Sequence, residues 1–442
     1  MPSVGRSAVK ARRWRCTDRR IDRRTEHRTQ CAVIKTGAPV QPGFKRVLAA
    51  EAASNFGSML SRLAIPWLAT LVLLATPLQM GFLLLADVAA GALGAMLLGT
   101  LVDRLRKRSV MVAADLMRAV LLGLLALGAA LNVLSFTALV LAAAASGMLT
   151  MAFELARSAW MAQALAQGEL TARNAQLAAT ASLSETAAFA IGGWLFQWWG
   201  AAVALAADGL SYIASAICLR GVADAAPAKP EPEPALGPQW RAMVAQAREG
   251  LATLVQSPKL RAMAFLQALV ALSMSLTATS YMIFVARDIG LPTGTLGLIF
   301  ATGGLGAIVG AALARPLGQR VGPERAMALG LLLAALGAAC IPAVPGAAWW
   351  GVALLVLHQV VGDSGSTVYD VHGRTLRQTV VTQALLARVD AGIRTLEHVA
   401  LIIGALGGGL LATWAGARAT LVLCALLLFS AALVALYLPR RG

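Results

Sequence analysis

Long apolar runs broken by short polar stretches dominate the chain. A hydrocarbon core about 30 Å thick needs about 20 apolar residues per helix. Runs of that length predict six crossings in the first half, over 47–74, 78–102, 109–131, 136–157, 176–198 and 201–219. Six more follow a polar break, over 260–286, 296–314, 326–342, 347–369, 392–414 and 417–438. The third and fourth of the second set are the least sharp. The organisation expected is a basic disordered tail (1–45), a six-helix bundle (46–220), a linker (221–258) and a second six-helix bundle (259–438).

Charge tests the count independently. Beyond residue 46 there are 25 Lys and Arg, and 20 of them fall on the side of the membrane that twelve spans assign to the tail. Only Arg287 and Arg418 fall on the other side, while Arg62, Arg118 and Arg394 lie within spans. One missed helix would scramble this alternation, so the positive-inside rule places both termini in the cytoplasm. In the linker, 225–238 reads AAPAKPEPEPALGP, a Pro/Glu-rich spacer with little to bury. Residues 240–256 then carry Met243, Ala247, Leu251, Leu254 and Val255 at helical spacing, which predicts an amphipathic helix on the cytoplasmic surface.

The halves also repeat with a constant offset of 216 residues. Gly192-Gly193 falls on Gly408-Gly409, Trp198 on Trp414, Gly200 on Gly416 and Arg104 on Arg320. A parallel repeat of six spans suits a two-domain transporter whose halves meet at one interface.

Composition agrees: 58% of residues are apolar and 13% charged, against about 25% charged in soluble chains. The net charge of +17 is concentrated in the tail, where 13 Lys and Arg face three acids up to Arg46. The tail has no apolar signal region. It reads as solvated basic chain, or as sequence ahead of a true start at Val33 or Val40; without aromatic interleaving it does not indicate nucleic acid. The five cysteines show no C-x-x-C spacing and imply neither zinc nor disulfides. No nucleotide, protease or hydrolase fingerprint occurs, so no enzyme, cofactor or metal is expected.

After the second span, residues 99–108 read GTLVDRLRKR. This resembles the loop signature of the major facilitator superfamily, G-x-x-x-D-R-x-G-R-[RK]. Gly99, Asp103, Arg104, Lys107 and Arg108 match, and Arg106 replaces the usual Gly, which Gly322 restores after Arg320 in the second half. The resemblance implies an all-α membrane fold of two pseudo-symmetric six-helix bundles. It also implies a latch of Gly99, Asp103, Arg104, Arg108 and Arg320 that stabilises the outward-facing state and breaks as the halves rock. The stretch 362–409 is similar to the branch of bacterial siderophore exporters and macrolide-efflux proteins, through Arg374, Arg377, Gln378, Ala387-Arg388-Val389 and Gly404 with Gly407-Gly408. Two departures count against proton-coupled export: Ala188-Phe189 stands where the fifth span of antiporters carries Gly-Pro, and the fourth span has no deep Arg.

Ionisable groups at bilayer depth face protein or water. Arg62 and Asp87 are expected at similar depth on neighbouring spans and are read as a pair at the cavity. Glu185, His358, Asp363 and Glu397 are the other candidates for substrate or proton coupling, His358 because imidazole titrates near neutrality. At i,i+3 spacing, Asp115 with Arg118, Glu154 with Arg157 and Arg394 with Glu397 are expected pairs. Asp208 has no expected partner. Ser273, Ser275, Thr277, Thr279, Ser280 and Tyr281 suit either a wet cavity or close helix packing. Trp67, Trp194, Trp198, Trp199, Trp349 and Trp350 are assigned to the outer interface.

The function expected is a monomeric secondary transporter in a bacterial-type inner membrane. It would export an amphiphilic small molecule by alternating access, with proton coupling as one option. Import, lipid flipping, or a receptor or scaffold that retains the fold are the alternatives.

Overall fold

A computed structural model describes residues 42–165, 169–223, 248, 252, 254–255, 257–381 and 383–437. The chain divides into two compact units, 1–45 and 46–442; of the first, only residues 42–45 are described. The basic tail and most of the linker lie outside the described residues. Leu254, which is described, is buried in a cluster with Leu260, Ala264, Val381, Val389 and Ile393.

Helix α1 spans Pro42–Trp67 and continues through a π-helical turn, Leu68–Val72. Then come α2 (Pro77–Arg104), α3 (Lys107–Ala130) and α4 (Phe136–Ala164). The stretch Leu170–Leu219 is broken at Gly200 (φ +76°) into α5 and α6. In the second half, α7 (Pro258–Met282) again ends in a π-helical segment, Ile283–Asp288. It is followed by α8 (Thr293–Val321), α9 (Pro323–Cys340), α10 (Trp349–Val380), α11 (Gln383–Ala415) and α12 (Ala417–Leu436).

Local chemistry sets the helix starts. Thr76 and Gln79 form a reciprocal capping box at α2, and Ser135 and Ser257 accept from the first turns of α4 and α7. Pro77, Pro258 and Pro323 occupy first-turn positions that need no amide donor. Among the described residues nine helices are long and apolar enough to cross a membrane, with α5 and α6 taken as one. The two that fall short, α1 and α10, are those that carry Arg62 and His358 with Asp363.

The 216-residue offset holds at the level of backbone geometry. Gly200 and its counterpart Gly416 both have positive φ, +76° and +86°. The π turns are equivalent too: Leu73 N to Leu68 O matches Ile289 N to Phe284 O, and Ala75 N to Ala69 O matches Leu291 N to Val285 O. One position breaks the match. Gly322 has φ +85°, while Arg106 at the equivalent place has φ −67°, so the first loop takes another path rather than strain an arginine.

Within the first half, α2 packs on α4 and α3 on α4 and on the α5–α6 stretch. In the second, α7 packs on α11 and α12, α8 on α10, and α9 on α10 and α12. The halves meet where α2 touches α11 and the α5–α6 stretch touches α8. Glycines make those crossings backbone-close. A Cβ on Gly193 would lie 2.5 Å from Thr293 O and 2.9 Å from Gly297 Cα. Its counterpart, Gly409, would meet Pro77 O and Leu78 Cα, both at 2.9 Å. Gly297 likewise faces Phe189 O, and its counterpart Gly81 faces Ala405 O. All these contacts lie on the side away from the chain termini. Arg287 Nη1 to Ala75 O (3.2 Å), Thr293 Oγ1 to Gly193 O (3.3 Å) and Gly294 N to Gln197 Oε1 (2.8 Å) join the halves there as well.

Candidate functional site: a polar seam between the halves

The seam is lined from both halves. On α1, consecutive residues point in opposite senses: Ser61 is buried within its own bundle, while Arg62 is exposed. Arg62 acts electrostatically on Asp87 of α2. Asp87 is exposed, and its carboxylate lies against α4, where a Cβ on Gly147 would meet Oδ1 at 3.1 Å. No contact ion pair joins Arg62 and Asp87 among the described residues.

From α5, exposed Glu185 acts electrostatically on half-buried Asp363 of α10, in the opposite half. The Asp363 carboxylate packs over Gly303 of α8, beside Gln359. His358, one turn away on α10, leaves a buried Nδ1 without a partner, as does Tyr281 its hydroxyl on α7. Their rings lie 6.1 Å apart. Tyr281 packs on Phe300 (5.5 Å), and Phe300 on Phe189 of the opposite half (5.8 Å), so an aromatic row crosses the seam beside the carboxylates. Sequence patterning gave no signal for Phe189 and Phe300, which look like any other apolar core residue.

Glu397 stands apart. It is half-buried on α11 and acts on Tyr369, whose hydroxyl donates to Gln267 Oε1 (2.9 Å) inside the second bundle. The expected Arg394–Glu397 pair does not form among the described residues; Arg394 is exposed and its carbonyl contacts His398 Nδ1 (2.8 Å). Asp115 and Arg118 do pair, at 2.5 Å. Arg157 instead pairs with Glu51 of α1, not Glu154: Glu51 is buried, while Glu154 stays exposed.

The α7 hydroxyls divide. Ser273 donates to Cys424 O (3.1 Å) and Ser275 to Leu401 O (2.7 Å), so these two join α7 to its neighbours, while Thr279 donates back to Leu276 O (2.8 Å) within α7. Only Ser280 and Tyr281 keep free buried hydroxyls. Trp67 is also corrected: it is fully buried against Phe196 (5.3 Å), whereas Trp198, Trp199, Trp349 and Trp350 are exposed as an interfacial belt requires.

The loop after α2 carries the residues of the expected latch. Among the described residues, a Cβ on Gly99 would meet nothing within 4 Å. Arg104 and Arg320 are exposed with no bonding partner among the described residues, and the side chain of Asp103 lies outside them. Arg108 does engage, donating to Arg220 O at the end of α6. The contacts between the halves described above lie on the far side, and Arg104 and Arg320 are not among them. A cavity of about 410 Å³ between α8 and α10, lined by Arg315, Gln319, His372 and Thr375, contains none of the predicted site residues. Among the described residues no cluster of His, Cys, Asp and Glu could hold a metal ion.

Comparison with known proteins gives this architecture a family. The Major Facilitator Superfamily model matches residues 47–369 and 263–442. A chloramphenicol resistance protein of Streptomyces lividans is 32% identical over 136 residues, 31% of this chain and 33% of that protein. YfiS of Bacillus subtilis (strain 168), described as an uncharacterized MFS-type transporter, is 24% identical over 90% of this chain and 93% of its own. Crystal structures of the nucleoside transporter NupG (TM-score 0.69, covering 90% of this chain and 99% of that one) and of a bacterial homologue of the iron transporter ferroportin in the inward-facing state (TM-score 0.68, 89% and 100%) share the fold at 14% identity each. The chain is therefore a multi-pass membrane transporter that belongs to the major facilitator superfamily.

Proposed function

We propose that the protein exports an amphiphilic small molecule by alternating access, with a proton bound at the seam as the coupling ion. The observation that carries this reading is that α8 brings carboxylate-bearing stretches of both halves together: Asp363 of α10 packs over Gly303, and Thr186, the neighbour of Glu185 on α5, packs over Gly304. Closing the seam on two carboxylates in a low-dielectric setting concentrates like charge, and a proton or a cationic substrate removes that penalty. Arg62 and Asp87 line the same opening and supply polar contacts to the cargo, while the aromatic row from Phe189 to Tyr281 supplies an apolar face.

The excess of Lys and Arg on the terminal side supports a cytoplasmic location for both chain ends. With the far side closed, the seam then faces inward, the state that loads an export cargo. The name of the Streptomyces relative supports efflux of a compound such as chloramphenicol. The protein is taken to act as a monomer in the inner membrane.

Inside-out vesicles with an imposed proton gradient test this, with ethidium and chloramphenicol as probes. Accumulation of either should collapse on adding an ionophore. Glu185→Gln, Asp363→Asn and Asp87→Asn should insert normally and lose gradient-driven accumulation. Accumulation unaffected by the ionophore would overturn proton coupling, and no movement of either probe by inserted protein would overturn this cargo class.

A further inference from the structure

The first bundle holds a second ionisable cluster, away from the seam and used by no step above. Asp115 and Arg118 of α3 and Asp208 of α6 are all at most 1% exposed. Asp115 takes the ion pair from Arg118 (2.5 Å) and hydrogen bonds from Ser215 (2.6 Å) and Ser54 (3.4 Å). Arg118 also donates to Thr150 Oγ1 (3.3 Å) and lies over the rings of Tyr212 (4.3 Å) and Phe153 (5.1 Å). The single guanidinium is thus spent on Asp115. Asp208 remains as a second carboxylate with no cation of its own.

Its hydrogen bonds show what it lacks. Ser61 of α1 donates to Oδ2, and Oδ1 is buried without any partner. Beside Oδ1 is the hydroxyl of Ser211: a Cβ placed on Gly57 would strike both atoms. Ser211 already gives its hydrogen to Asp208 O (2.7 Å), which leaves its lone pairs free to accept. The groups facing the site are Arg118 and Asp115 from α3, Ser54, Ser58 and Ser61 from α1, Thr150 and Phe153 from α4, and Tyr212 and Ser215 from α6; Tyr212 Oη is engaged with Ser58 (3.0 Å).

We propose that Asp208 is a buried proton-binding site of the first bundle, occupied as the carboxylic acid, with Oδ1–H donating to Ser211 Oγ. One proton there leaves the Asp115–Arg118–Asp208 cluster neutral and gives the unmatched Oδ1 a hydrogen bond. The Ser61 bond to Oδ2 already ties this carboxyl group of α6 to α1, one residue from Arg62.

A mutant cycle on the full chain in detergent tests this. Asp208→Asn keeps the shape and the donor, so it should melt as the wild type does and lose one protonated-carboxyl band from the infrared spectrum at neutral pH. Asp115→Asn should lower the melting temperature modestly, because Asp208 then ionises to pair with Arg118. The double variant leaves Arg118 with no anion and should fall well below the sum of the single losses. Failure of Asp208→Asn to fold, no band lost, or additivity in the cycle would each overturn the proposal. So would stabilisation of the wild type by sodium over choline that Asp208→Asn abolishes, which would make the occupant a metal cation.

Discussion

Gly193→Ala is the sharpest perturbation of the far-side closure. The added Cβ would sit 2.5 Å from Thr293 O and 2.9 Å from Gly297 Cα. Both are backbone atoms of α8, so no side chain can swing aside. Restoring an ordinary contact of 3.4 Å requires the helices to part by about 0.9 Å. Overpacking of this kind costs about 1–3 kcal/mol, and it is paid only in the state where the far side is shut. The same energy corresponds to a shift of about 5- to 150-fold in the balance between the two states. Spin labels on the far ends of α1 and α7, read by pulsed electron resonance, should show the longer distance gaining population in Gly193→Ala. Gly297→Ala, which meets Phe189 O at 2.5 Å from the other side of the crossing, should act alike. An unchanged distance distribution with a folded protein would refute the claim that this glycine pair sets the closure.

Other outcomes follow from the same geometry. Arg118→Met strands Asp115 in the core and should cost about 3–5 kcal/mol, seen as a large fall in melting temperature. Gly200→Ala places a side chain at φ +76°, ψ −177°, a region nearly exclusive to glycine, and should cost about 1–3 kcal/mol in the same assay. Ser275→Ala removes one interhelical hydrogen bond to Leu401 O and should cost about 0.6 kcal/mol, with transport retained. Glu51→Gln and Arg157→Gln should show coupling in a double-mutant cycle, whereas Glu154→Gln with Arg157→Gln should be additive.

Twelve crossings and the repeat were legible because both depend on period and spacing, which a sequence displays directly. The offset that pairs Gly200 with Gly416 proved to pair two positive-φ hinges, and it extends to the π turns and to the seam glycines Gly81 and Gly297, where no motif drew attention. Partner choice was less legible. Spacing puts Glu154 and Arg157 on one helix face, yet the arginine reaches 106 residues back to Glu51, since helix packing and not local register decides which carboxylate is buried beside it. Asp208 had no visible partner for the same reason: Ser61 and Ser211 are ordinary small residues until the bundle closes around them. Trp67 reads as interfacial from its place near a span end, but the π turn that follows carries it into the core. For Gly99 the signature suggests a close helix contact, and a Cβ there would meet nothing within 4 Å among the described residues.

Exposure of Glu185 to water from one side at a time is the claim on which the transport reading depends. In a cysteine-free background carrying Glu185→Cys, a membrane-impermeant thiol reagent should label the site in inside-out vesicles and not in right-side-out ones, and Gly193→Ala should raise labelling from the second side. Equal labelling from both sides, or none from either, would contradict the account.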